Sequence, residues 1–254
     1  MAVIALCSAA GSPGVTTTAV GLALSWPRPV LLVEADPSGP NGILAGVLRG
    51  QVDYETGLLD LASSPLALTD ALSDVVQPIV GTQVSYLAGT QTHQQATGLA
   101  DLWAPLGEEL ANLEQTGQDV IVDAGRLGLP GSPKPLLQWA DLALLATRSH
   151  LPALAGARSW VDEIRARDDW RRPGLLVIGE GEPYSVKEIR RALGLPVLAA
   201  VADDPAGAAV YHRGAPAPRR FASSGYVRSL AAAGHALRSA IASYRDALVE
   251  QVNP

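Results

Sequence analysis

The stretch Ser8-Ala9-Ala10-Gly11-Ser12-Pro13-Gly14-Val15-Thr16-Thr17-Thr18-Ala19 joins two segments of different periodicity. Before it, Ala2-Val3-Ile4-Ala5-Leu6-Cys7 is apolar and uncharged, which predicts a strand buried on both faces of a parallel sheet. After it, Val15, Ala19, Leu22 and Ala23 recur at helical spacing, and Pro27 stops the pattern, so a helix is expected over residues 15–25. A strand, a loop carrying Gly11 and Gly14, and a helix in direct succession aim backbone N–H groups at a helix N-terminus. That arrangement is an anion cradle, and phosphate is the first ligand it suggests.

The loop resembles the deviant Walker A motif of the ParA/MinD family of P-loop ATPases, which reads roughly S-x-K-G-G-x-G-K-T-T ahead of a helix. Gly11, Gly14, Thr16 and Thr17 fall on matching positions, while Ala10 and Val15 stand where the two family lysines belong. The resemblance implies an ATP site formed by Gly11, Ser12, Gly14, Val15, Thr16 and Thr17, with the Thr16 hydroxyl at the Mg²⁺ position. A valine cannot neutralise phosphate charge, and Pro13 removes one backbone N–H from the cradle, so nucleotide is expected to bind weakly and to be hydrolysed poorly. A loop that only packs strand against helix remains an alternative.

Two further segments follow in the family's order. Val30-Leu31-Leu32-Val33-Glu34-Ala35-Asp36-Pro37 predicts a strand ending in two acids, about 20 residues beyond the glycines. Asp36 matches the second aspartate of the family's D-x-D, implied to act on the attacking water, whereas Glu34 replaces the first; Ser38 to Gly42 resembles the switch loop. Asp119-Val120-Ile121-Val122-Asp123-Ala124-Gly125 is similar to the family's Walker B segment, which implies Asp123 as a Mg²⁺ ligand through water, opposite Thr16. A strand-terminal aspartate that caps the next turn is the plain alternative.

Elsewhere, strands are expected at residues 75–80, 84–89, 141–147, 173–178 and 196–201. Helices are expected at 44–48, 57–62, 66–72, 99–115, 151–165, 185–193 and 224–249, with a turn at Asp203-Asp204-Pro205. The sixth strand ends in Gly179-Glu180-Gly181 instead of a base-reading asparagine. With 254 residues, 48% hydrophobic and 5% aromatic, the chain fits one doubly wound α/β domain with a mainly parallel sheet of seven to eight strands and helices on both faces.

The formal charge of −6 argues against general attraction to nucleic acid. Cys7 is the only cysteine, which excludes an intrachain disulfide and a cysteine-based metal site. No stretch is long and apolar enough to span a membrane, and the chain is expected to be cytoplasmic. Residues 205–245 contain arginines but no acid, so DNA or an anionic membrane is a conceivable partner; a helix face balanced by acids elsewhere is the favoured reading. The final amphipathic helix reads as a packing helix.

By resemblance, the function is spatial positioning of a cargo by a homodimer with a protein partner. The cargo classes are a chromosome or plasmid, the division site, or a pilus or secretion machine as in the TadZ/CpaE-like branch. Two other classes stay open: a nucleotide-free pseudo-ATPase scaffold, and a Rossmann oxidoreductase in which Glu34 would hold a ribose. Against the last, no G-x-G-x-x-G register is intact.

Overall fold

The computed structural model describes residues 2–10, 13–39, 43–51, 56–113 and 117–252, with side chains through residue 247. Strand β1 (Val3–Ser8) leads through α1 (Val15–Leu24) to β2 (Val30–Glu34). A π-helical turn at Ile43–Val47, α2 (Leu58–Ser63) and α3 (Leu68–Val75) then precede β3 (Gln77–Pro78) and β4 (Val84–Leu87). Next come α4 (His93–Ala96), α5 (Trp103–Asn112), β5 (Asp119–Arg126), α6 (Lys134–Trp139), β6 (Leu142–Arg148) and α7 (Leu151–Arg167). The chain closes with β7 (Pro173–Ile178), α8 (Val186–Leu193), β8 (Val197–Val201), α9 (Pro205–His212) and α10 (Gly225–Val252).

The strands form one eight-stranded sheet in the order β3-β4-β2-β5-β1-β6-β7-β8, parallel except where β3 runs against β4. Strict alternation along each central strand explains why the sheet is covered twice. Val3, Ala5 and Cys7 of β1, with Val120 and Val122 of β5, enter the apolar layer under α5, α6, α7 and α8. Ile4 and Leu6, with Ile121 of β5 and Leu144 of β6, enter the opposite layer under α1, α9 and α10. The topology switches direction around β1, so the crevice beyond its carboxyl end is where an open α/β sheet receives a ligand.

The longest helix follows the reading from sequence. Tyr226, Leu230, Leu237 and Ile241 of α10 are buried on the sheet side, while Arg245 reaches Asp141 (3.5 Å), which also faces Arg172. Acids elsewhere in the fold therefore do meet part of the arginine stretch. Leu248 and the residues after it fall outside the described side chains. Among the described residues no helix is long and apolar enough to cross a membrane.

Differences from the expected elements have local causes. The helix expected at 99–115 begins only at Trp103, because Thr97–Leu99 forms a 3₁₀ turn first. Helix α6, six residues long, shows too little periodicity to be legible. Where a turn was expected, Asp204 caps α9, accepting a hydrogen bond from Gly207 N (2.9 Å), and Pro205 occupies the first helical position. That cap signal was present in the sequence, but the Ala- and Gly-rich helix behind it carries almost no apolar stripe.

The amino edge of the sheet is held by a buried acid. Asp119 is 0% exposed and accepts hydrogen bonds from Ala2 N (2.7 Å), Trp26 Nε1 (2.8 Å) and the Arg28 guanidinium (2.6 Å). Arg28 is part exposed, so its removal leaves Asp119 two neutral donors and some access to water. Arg28→Ala should cost about 1–2 kcal/mol in urea unfolding, while Arg28→Lys, lacking the bidentate fork, recovers only part of it.

Candidate functional site

The loop after β1 enters α1 through Gly14, whose φ of 106° lies in the region that favours glycine; Thr18 N then donates to Gly14 O (2.9 Å) as the first helical bond. No side chain caps α1 and no acid sits in its first turn, so its leading N–H groups are open to an anion. Thr16 and Thr17 are half-buried at that end. Val15 is 6% exposed and belongs to the apolar layer under α1, although its edge forms part of the cleft wall. Gly11 and Ser12 lie outside the described residues.

The strand register carries the acids to the same place. Glu34 of β2 is level with Asp123 of β5, and Leu6 of β1 is level with Asp123 on the other side. Asp123 is 2% exposed; its Oδ1 accepts a hydrogen bond from Gly125 N (3.0 Å), and its Oδ2 has no hydrogen-bond partner among the described residues. Burial, then the nearby charge of Asp36, pushes the Asp123 carboxyl up to about 7; the Thr16 hydroxyl and Gly125 N–H offset part of this, and Glu34 adds to it. Thr16 thus stands close to Asp123 without a hydrogen bond of ordinary geometry.

Asp36 accepts a hydrogen bond from Ser38 N (2.9 Å) and lies across Gly125 so closely that a Cβ there would sit 2.3 Å from Asp36 Cγ. The positive φ of Gly125 (61°) and the missing side chain bring the two acidic segments together. Glu34 turns away from the opening. It is 1% exposed, its Oε2 accepts from Gly89 N (3.2 Å), and it does not line the cleft, which removes the ribose role that an oxidoreductase would assign to it.

These elements open on a cleft of about 840 Å³, within the roughly 300–1,000 Å³ of ordinary ligand sites. One wall is Ser8, Gly14, Thr16 and Thr17; the floor includes Asp36 and Gly125. The opposite wall comes from the ends of β6, β8 and α9, with Arg148, Asp203, Asp204 and Arg213, and Arg126 stands beside Gly125. Arg148 forms an ion pair with Asp203. These arginines were not legible as site residues: Arg126 directly follows the Walker B-like segment and Arg213 lies in the arginine-containing stretch, but nothing local places either at the cleft.

Whether a magnesium nucleotide suits this site can be judged from the chain itself. An orphaned carboxylate oxygen in the interior is the kind of atom that a cation satisfies, and Thr16 adjoins it. Among the described residues no three acidic, histidine or cysteine side chains converge as a cage, so the metal would need phosphate and water oxygens as further ligands. The open α1 terminus and the cleft volume fit a polyphosphate; the apolar Ala10 and Val15 weaken the fit.

No family model and no curated protein matches the sequence. Solved structures do resemble it. The cell division ATPase MinD of Pyrococcus furiosus superposes with a TM-score of 0.74 at 19% identity, covering 94% of this chain and 98% of that one. MinD in the MinC:MinD complex of Aquifex aeolicus gives 0.73 at 16% identity over 94% and 96%. McdA of Cyanothece, in a complex with ATP, gives 0.67 at 16% identity over 93% and 96%. These superpositions over more than nine-tenths of the chain show its fold: this chain has the P-loop fold of the MinD and ParA ATPases.

Proposed function

We propose that the chain is a ParA/MinD-like positioning protein whose nucleotide site is retained in shape but weakened in charge. The observation that carries this is the open α1 N-terminus and Thr16 on one cleft, with the orphaned Asp123 oxygen buried beside Thr16 and apolar residues at both lysine positions. In this reading Gly14, Thr16 and Thr17, with Gly11 and Ser12 of the same loop, cradle the phosphates. Thr16 and Asp123 hold Mg²⁺, which would draw charge off the phosphates, and Asp36 orients water. Support for positioning comes from the neighbours, which include a MinC:MinD complex and a plasmid partition protein. A homodimer formed across the loop-bearing face and a protein partner belong to the same reading, and the cargo is a replicon, a division site or a pilus or secretion machine.

Equilibrium dialysis with Mg-ATP, paired with a steady-state phosphate-release assay, tests it. Measurable binding with turnover far below the roughly 1–100 s⁻¹ of ordinary kinases is expected; turnover within that range overturns the weakened-site reading. The second reading, a nucleotide-free scaffold, is favoured by one observation, the burial of Val15. Val15→Lys separates the two. With its stem buried and its ammonium reaching the cleft, the lysine should tighten Mg-ATP about tenfold. A lower melting temperature with no gain in affinity supports the scaffold instead.

A further inference from the structure

The proposed site lacks both lysines, yet a polyphosphate held there still needs a cation. Three arginines line the cleft, Arg126, Arg148 and Arg213. Arg148 is already taken by Asp203. Arg126 and Arg213 are exposed, and neither makes an ion pair or a side-chain hydrogen bond among the described residues. An arginine without an acidic partner beside a wall of open backbone N–H groups is a cation kept for a ligand.

The backbone distinguishes the two. Arg126 is the last residue of β5 and is level with Ser8, the residue that opens the phosphate loop. Leu127 N donates to Ser8 O (2.9 Å) and Ser132 Oγ donates to Arg126 O (3.4 Å), so the backbone at Arg126 is held on both sides beside that loop. Arg213 follows the end of α9 on the far wall and has no such tie to the loop. The acid nearest Arg126 along the chain, Asp123, is buried, and Asp36, which lies across the adjacent Gly125, is engaged with Ser38 N and packed on that glycine. Arg126 therefore has a fixed root and an uncommitted head.

We infer that Arg126 is the cation of this cleft, taking the phosphate charge that a P-loop lysine would take, and that the ligand is a polyphosphate, as borne by a nucleoside triphosphate. A guanidinium stays protonated at every accessible pH and meets two phosphate oxygens at once, so its position at the strand end substitutes for a lysine on the helix. The assignment rests on the nucleotide reading above and adds to it the residue on which affinity depends.

The test is a set of binding titrations on the full chain with two probes, Mg-ATP and sodium tripolyphosphate. The variants are Arg126→Ala, Arg126→Lys, Arg213→Ala and Arg219→Ala, the last an exposed arginine outside the cleft. Arg126→Ala should weaken both probes about ten- to a hundredfold, Arg126→Lys should recover part of the loss, and the other two should stay within about twofold. Unfolding temperatures should not move, since the side chain is exposed. Tighter binding of Mg-ATP than of tripolyphosphate marks a nucleotide as the ligand; equal binding marks free polyphosphate. If the parent chain binds and Arg126→Ala binds as well as it does, or if Arg213→Ala alone weakens binding, the inference falls while the nucleotide reading stands. A parent chain that binds neither probe overturns both.

Discussion

Replacing Asp123 by asparagine should stabilise the fold in alkaline solution, the opposite of what most buried substitutions do. In the folded chain this carboxyl is raised from 3.8 to about 7, by burial first and by Asp36 next. A carboxyl whose folded value exceeds its unfolded value binds its proton more tightly in the native state. The stability that depends on that proton is complete below about pH 4, declines as pH rises, and is lost once pH passes about 7. Above that point the native state carries an uncompensated buried charge, a burden on the order of 4 kcal/mol at most. Asparagine has nothing to ionise. Thermal unfolding without nucleotide or Mg²⁺ should show the variant and parent nearly level at pH 4.5 and the variant several degrees higher at pH 8. A difference that does not change with pH would mean that Asp123 is not protonated in the resting fold. Stability given up at a site while no ligand is present is a common signature of function.

Gly125→Ala should be among the most damaging single-methyl changes in the chain, with a loss of about 3 kcal/mol or more in chemical unfolding. A left-handed φ of 61° costs an alanine roughly 1–2 kcal/mol before any contact is counted. The new Cβ would also lie 2.3 Å from Asp36 Cγ and 2.8 Å from its Cβ, far inside van der Waals contact, so Asp36 must rotate away and lose the Ser38 N–H. Because Asp36 Cβ itself is too close, shortening Asp36 to alanine leaves the collision in place. Only Asp36→Gly relieves it. A double-mutant cycle should therefore give strong favourable coupling for Gly125→Ala with Asp36→Gly and little with Asp36→Ala. No coupling in either cycle would show that the damage comes from the backbone alone. Any nucleotide response of the parent chain should also disappear in Gly125→Ala, since the acidic segments of β2 and β5 would no longer meet.

Much of this protein was legible before folding because its signals are local. Alternation in β1, β2, β5, β6 and β7 follows from strands buried on two faces, and loops that change period between strand and helix mark the crossovers. Asp36 and Asp123 were singled out the same way, as acids at the ends of apolar runs; the fold places Asp36 in the cleft lining and Asp123 in the interior beside Thr16. Gly11 and Ser12, named from the same loop, fall outside the described residues.

Other features depend on which strands become neighbours, and no local pattern contains that information. Glu34 and Asp36 are two residues apart and look alike as a sequence, yet Glu34 is the last residue of β2 and turns to Gly89 in the interior, while Asp36 lies past the strand end and lines the cleft. Gly125 reads as a turn residue; its necessity comes from Asp36 lying across it. Arg126, Arg148 and Arg213 are separated by up to 87 positions and meet around one opening only because β5 and β6 flank β1 and α9 follows β8. Local periodicity and turn chemistry thus determined the elements and the glycine loop before α1, since those obey short-range sterics and burial. The pairing of strands, a property of the whole sheet, decided which acid was orphaned, which was hidden and which arginine was left free to meet a ligand.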